Sequence, residues 1–242
     1  MLEENESIKS KVSSQFETTS WTLIIDAKNN LDSGLALEKL CRKYWKPIYV
    51  YCRRSGLTRE DSEDASQDFF VYIFDKSWLE HVDKNLGSFR GFISTLLKYF
   101  LSNRRRLNNA KKRGSRLVLP LDSFDITESV ASADIDASKA YDKLWALTVT
   151  DLAIKRLGEE QKTSLQKRRF ECLKNYLTRT PTVSDYNILV VLLNESKNTI
   201  AVALHRLIRR YGELIRLEVA DTTKDTHEVD KELRYLITII SS

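Results

Sequence analysis

Carboxylates crowd the stretch 60–68, where Glu60, Asp64 and Asp68 stand close enough together to suggest a divalent cation and metal-assisted hydrolysis. No lysine or histidine accompanies them to complete such a site. His81, His205 and His227 are isolated and lack ligand spacing. Cys41, Cys52 and Cys172 are odd in number and form no CxxC, so they read as reduced thiols of a cytoplasmic protein. No glycine-rich phosphate loop is present. The expectation is therefore a protein with no catalytic residues, no metal site and no cofactor, and the search turns to binding.

The strongest binding signal is "GSFRGFISTLLKYFLSNRRRLNNAKKRG", from Gly87 to Gly114. Phe89, Phe92, Ile93, Leu96, Leu97, Phe100 and Leu101 recur at helical spacing, with Ser88 as a cap. From Phe89 to Arg116 there is no acidic residue. A segregated basic face asks for a polyanion such as nucleic acid.

A second signal lies further along. Ser184 reads as a cap for "DYNILVVLL", Asn194 and Glu195 as a tight turn, and Ser196 as the cap of "KNTIAVALHRLIRRYGELIRLEV". A short helix, a brief turn and a longer basic helix match a helix-turn-helix. Ile188, Val191 and Leu192 would then pack against Ile200, Leu204 and Leu207. Lys197, Asn198, Ala201, Val202, His205, Arg206 and Arg209 would face outward, toward a DNA groove or, in an ordinary helical hairpin, toward solvent.

The elements that position these residues follow from composition. With 7 glycines and 3 prolines in 242 residues, few breaks interrupt helices, and the expected class is all-α. Hydrophobic content of 42% and charged content of 30% describe a globular chain with a net charge of +5. Residues 1–17 are polar and Ser-rich, read as disordered and not as a signal peptide. Order should begin near Ser20. Leu37, Leu40, Cys41, Tyr44, Ile48 and Tyr51 predict a helix from about Ser33, kinked or split at Pro47 and closed by Gly56. Thr58 should cap the next helix, with Ala65, Phe69, Phe70, Ile73 and Phe74 inward and Glu60, Asp64, Gln67, Asp68 and Val71 on the opposite stripe. Residues 115–139 read as an acidic linker, because "VLPLDSFDITESVASADIDASK" within them carries Asp122, Asp125, Glu128, Asp134 and Asp136 against one lysine. Helices resume near Ala140. The longest aliphatic run, Ile188 to Leu193, is too short for a bilayer, so no membrane is expected. At the C-terminus, 221–242 form an amphipathic helix with Val229, Leu233, Leu236, Ile237 and Ile240 on one stripe, expected as a brace on the helix-turn-helix domain or a latch over a binding surface.

Taken in order, "LCRKYWKPIYVY", "EDASQDFF", "GSFRGFISTLLKYFLSNRRR", "KKRG" and "ALHRLIRRYGELIRLEVADT" resemble bacterial RNA polymerase sigma factors of the extracytoplasmic-function group, closest to a planctomycete-like variant. The resemblance implies a σ2-like domain over 18–114, the acidic linker over 115–139 and a σ4-like domain over 140–220. It implies promoter DNA and core RNA polymerase as partners, through the β′ clamp helices and the β flap, and leaves room for an anti-sigma factor or other inhibitor. The clamp contact would fall on Glu60, Asp64, Gln67, Asp68 and Val71. The −10 element would meet Lys84, Asn85, Ser88, Arg90, Lys98, Asn103, Arg105 and Arg106, with Arg104 beside them. In the loop His81 to Ser88 such factors receive a flipped base, and the basic extension would meet phosphates. The −35 element would be read by Lys197, Asn198, Ala201, Val202, His205, Arg206 and Arg209.

The chain departs from the pattern at Phe92, where many relatives carry Trp, at Tyr99, where many carry Asn, and at Ala201, where many carry Lys or Arg. Asn194 replaces a common turn glycine, which Asn's tolerance of the left-handed region permits. An alternative from the second signal alone is a free-standing helix-turn-helix regulator that never engages polymerase.

Overall fold

The structure, a computed structural model, describes residues 33–74, 88–112, 135–223 and 226–241. The expected N-terminal disorder, the element near Ser20, the loop residues 81–87 and the body of the acidic linker lie outside the described residues. Among the described residues the fold is all-helical. Its α-helices are α1 (Ser33–Arg54), α2 (Arg59–Phe74), α3 (Phe89–Lys112), α4 (Ile135–Glu159), α5 (Ser164–Leu173), α6 (Val183–Leu193), α7 (Lys197–Ala220) and α8 (Thr226–Ser241), with a 3-10 turn at Lys174–Tyr176. None of these helices is long and apolar enough to cross a membrane.

Two compact units divide the chain: Met1–Ala146 together with Ala220–Ser242, and Leu147–Val219. In the first unit, α1 buries Leu40, Tyr44, Ile48 and Tyr51, a row at three- and four-residue steps, and runs through Pro47 as one helix rather than splitting there. It ends in a Schellman motif, as Gly56 promised. Gly56 adopts φ 86°, its N–H donates to Arg53 O at 3.1 Å, and Leu57 N–H reaches Cys52 O at 3.4 Å. Burial pushes the Cys52 thiol up to about 11, so it is a core group and not a nucleophile at neutral pH.

Thr58 caps α2: its Oγ1 accepts from Asp61 N–H at 3.1 Å and donates to the Asp61 carboxylate at 2.7 Å. Ala65, Phe69, Phe70 and Ile73 point inward. Ser88 caps α3 by accepting from Gly91 N–H at 3.3 Å. Phe89, Phe92, Ile93, Leu96, Leu97 and Leu101 are buried, while Phe100 is half-buried with its ring 5.4 Å from Phe69. Each such large side chain removed from water is worth roughly 1.5–3 kcal/mol.

Helix α4 starts at Ile135, ahead of the expected Ala140. Ala137, Tyr141, Trp145, Val149, Ala153 and Leu157 recur every four residues and are all buried. Ala137 is the first member of that row, so a stretch that reads as linker by its small residues is already helix. Tyr141 and Trp145 belong to the first unit, where Tyr44 lies edge-on to Phe89 at 5.4 Å and stacks with Trp145 at 6.5 Å.

Helix α8 also belongs to the first unit, and not to Leu147–Val219, the unit on which a brace was expected. Its inward row is Val229, Glu232 and Leu236, whereas Ile237 and Ile240 of the expected stripe are exposed. The segment ahead of it is tied to the same unit. Phe89 N–H donates to Thr222 O at 2.9 Å, Lys43 pairs with Asp221 at 3.3 Å, and Thr222 and Thr223 are buried.

In the second unit, Ala153, Leu157, Phe170, Leu177, Tyr211 and Leu214 form one cluster. Leu173, Tyr176, Leu189, Leu193, Ile200 and Leu204 form another. Gly158 lets α4 and α5 approach: a Cβ there would stand 2.9 Å from the Phe170 ring.

Candidate nucleic-acid interface

The turn between α6 and α7 is built by local chemistry. Asn194 ends α6 in the left-handed region at φ 56°, ψ 44°, a conformation Asn adopts more readily than most residues. Ser196 then caps α7, its Oγ accepting from Thr199 N–H at 3.2 Å. Between them, the Glu195 carboxylate accepts from Arg169 Nε at 2.9 and 3.1 Å, which ties the turn to α5. Arg168 of α5 donates to Leu192 O at 2.5 Å, covering a carbonyl at the end of α6.

Helix α6 differs from expectation at both its start and its face. Thr182, not Ser184, is the cap: its Oγ1 accepts from Asp185 N–H at 3.2 Å, and Asp185 reaches back to Thr182 N–H at 2.8 Å. Val183 already lies in the helix, so Ser184 sits two residues too deep to cap it. Leu189 and Leu193 pack inward, while Ile188, Val191 and Leu192 are 58%, 81% and 51% exposed. The expected packing of those three on Ile200, Leu204 and Leu207 is thereby corrected. Six consecutive apolar residues carry no phase of their own, and the neighbours Tyr176 and Leu204 selected one.

The outward face of α7 is as expected. Lys197, Asn198, Val202, His205, Arg206 and Arg209 are exposed and Ala201 is half-buried. Arg209 is held along the helix by Glu213 at 3.3 Å, and the Lys197 ammonium sits 5.2 Å from the Tyr186 ring centre. Beside this face the unit carries a groove lined by Tyr176, Arg179, Tyr186, Ala201, His205 and Ile208. Arg179 lies 4.3 Å from the Tyr176 ring centre and pairs with Asp185 at 3.1 Å. The Arg179 guanidinium and the Thr182 N–H hold the Asp185 carboxyl far below its ordinary value. Arg179 and Tyr186 were not among the residues expected at this face. The only clue was "TRTPT", a capping segment ahead of an apolar run.

In the first unit the site residues separate. Glu60, Asp64, Gln67, Asp68 and Val71 share an exposed face of α2, with Val71 73% exposed. Asp68 is also committed internally, because Arg104 Nη1 donates to it. Arg105 donates to Ser55 O, Arg106 is exposed, and Lys98 and Asn103 are half-buried. Ser88 serves as the cap of α3. Lys84 and Asn85 lie outside the described residues.

Arg90 requires a correction. It was expected to meet phosphate, yet it is 8% exposed and faces two carboxylates. Its Nε and Nη2 donate to Glu232 of α8, the latter at 3.3 Å, and its Nη1 donates to Asp142 of α4. Tyr235 donates its hydroxyl to Asp142, and its ring centre lies 4.6 Å from the guanidinium. Burial opposes the charge on Arg90, but Glu232 and Asp142 outweigh it and hold the guanidinium pKa above its ordinary value. Burial pushes the Asp142 carboxyl up despite Arg90. Burial and the bond to Asp142 push the Tyr235 phenol up to about 12.

The basic run of α3 is therefore uncompensated only along the chain. In three dimensions Arg90 and Arg104 have carboxylate partners, and Arg105 and Arg106 remain on the surface. The chain matches no protein-family model, no curated protein and no solved structure.

Proposed function

We propose that this protein is a sigma-type transcription initiation factor that binds core RNA polymerase and directs it to promoters. In this reading residues 18–114 bind the polymerase clamp and the −10 element, the acidic segment 115–139 links the domains, and residues 140–220 bind the flap and read the −35 element. The observation that carries the reading is the exposed basic face of α7, set behind a left-handed Asn194 turn. A helix so presented can enter a major groove, with Arg206 and His205 at base edges and Arg209 at phosphate. Val202 is 44% exposed and Ala201 is half-buried, so apolar contact with thymine methyls supplements hydrogen bonding. The acidic face of α2 has the chemistry to meet basic residues on a polymerase partner while Val71 is covered.

Run-off transcription with bacterial core polymerase, with and without the full chain, tests the reading. Promoter-dependent transcript that appears only with the chain supports it. Specific DNA binding with no association with core polymerase would transfer the protein to the free-standing helix-turn-helix class. Neither activity would end both readings.

A further inference from the structure

The first unit buries one guanidinium against two carboxylates. Arg90 and Asp142 alone would form a neutral pair, and α8 adds Glu232 to make the cluster net negative. Glu232 engages Arg90 through two nitrogens, Nε and Nη2, with both of its oxygens accepting. This is the forked geometry by which arginine grips phosphate as readily as carboxylate. Tyr235 closes the cluster by placing its ring over the guanidinium and its hydroxyl on Asp142. A surplus buried carboxylate is a poor source of stability, because desolvation offsets much of the attraction it gains. Arg90 also opens the basic helix α3, whose other end carries the exposed Arg105 and Arg106.

We infer that Glu232 is an internal stand-in for a nucleic-acid phosphate, and that α8 is a strap withholding Arg90 as a latent phosphate-binding residue until a strand displaces it. The inference rests on the DNA-binding reading above and adds a self-inhibiting contact to it. When α8 lifts, the guanidinium exchanges one carboxylate for a phosphodiester, and Asp142 stays as its partner. The contact is to the backbone, so it is blind to sequence.

The test uses the full chain and a labelled DNA duplex of random sequence, titrated at several salt concentrations. Glu232→Gln removes the competing charge while leaving Arg90 paired with Asp142. It should bind severalfold tighter at low salt than the parent, and its log–log salt slope should steepen by about one. Glu228→Gln makes the same change in net charge on the same helix, at a half-buried residue that is not among the hydrogen-bond partners of Arg90, and should bring a much smaller gain. The double variant Arg90→Gln/Glu232→Gln should fall back to parental binding. A gain that persists in the double variant, or equals that of Glu228→Gln, overturns the strap, as does parental affinity in Glu232→Gln. Binding absent from every chain overturns it together with the reading it rests on. Hydrogen exchange of the unmodified protein is a second measurement that no variant's folding can confound. DNA should speed exchange of the α8 amides around Leu236, and unchanged protection in a DNA-bound chain overturns the proposal.

Discussion

Each unit has an arginine that bonds two carboxylates, and the two stand in opposite settings. In the first, Arg90, Asp142 and Glu232 come from three helices far apart in the chain and meet in a buried cluster. In the second, Arg210 pairs with Glu160 at 2.7 Å and with Glu213 at 2.9 Å, and Arg179 pairs with Asp185, all near solvent. The same chemistry therefore has different consequences. Burial makes the first cluster costly to break and sensitive to the balance of its charges, whereas water screens the second set and leaves it nearly dispensable.

The largest effect expected from this contrast is Arg90→Ala. It strands Asp142 and Glu232 in a buried site, and a loss of about 3–5 kcal/mol in unfolding free energy is expected for such a break. Denaturant melts of the parent and variant measure it, and a loss below about 1 kcal/mol would mean the site hydrates freely, as exposed pairs do.

Next comes packing in the second unit. Gly158→Ala drives a Cβ to 2.9 Å from the buried Phe170 ring. Such overpacking costs roughly 1–3 kcal/mol, which should appear as a lower melting temperature, with the smaller Gly158→Ala/Phe170→Leu pair recovering part of it. No loss would show that α4 and α5 can slide apart at this point.

For the exposed face of α7, Arg206→Ala and His205→Ala should leave melting unchanged while weakening promoter binding. A base contact is worth ~1–3 kcal/mol, or about ten- to a hundredfold in affinity. Parental binding in both variants would remove these residues from the interface. On the surface of the same unit, Arg210→Ala should cost less than about 1 kcal/mol despite removing two ion pairs. A larger loss would make the two units alike after all.

Acid sharpens the contrast with the least perturbation. Arg210 and Arg179 hold Glu160 and Asp185 below their ordinary values of 4.5 and 3.8, so their contribution is present above those values and is lost as pH falls through the lowered ones. Asp142 is raised above 3.8 by burial, so its contribution has the opposite sign: complete below 3.8 and lost as pH rises through the raised value. Mild acid should therefore spare or strengthen the first unit before it weakens the second. Hydrogen exchange followed unit by unit measures this, and Asp142→Asn should abolish the gain in the first unit.

Much of the molecule was legible in local signals. Thr58, Ser88, Ser196 and Gly56 each determine a helix end through bonds to residues at most a turn away, Asn194 does so through its left-handed backbone, and each acts as its type predicts. The rows Leu40–Tyr44–Ile48–Tyr51 and Phe89–Ile93–Leu96 determined helices and their inward faces, because apolar and polar residues alternate there with the helical period. The exposed face of α7 was readable for the same reason. Tertiary structure decided what periodicity leaves open. In "ILVVLL" every face is apolar, so only the neighbours could choose Leu189 and Leu193 over Ile188 and Val191. In α8 a charged residue, Glu232, took an inward position that the pattern assigns to surface, because Arg90 was there to receive it. Arg90 itself looked like a free cation since no acid stands near it in the chain. Its partners are 52 and 142 residues away, and charge compensation over such separations exists only once the helices have packed.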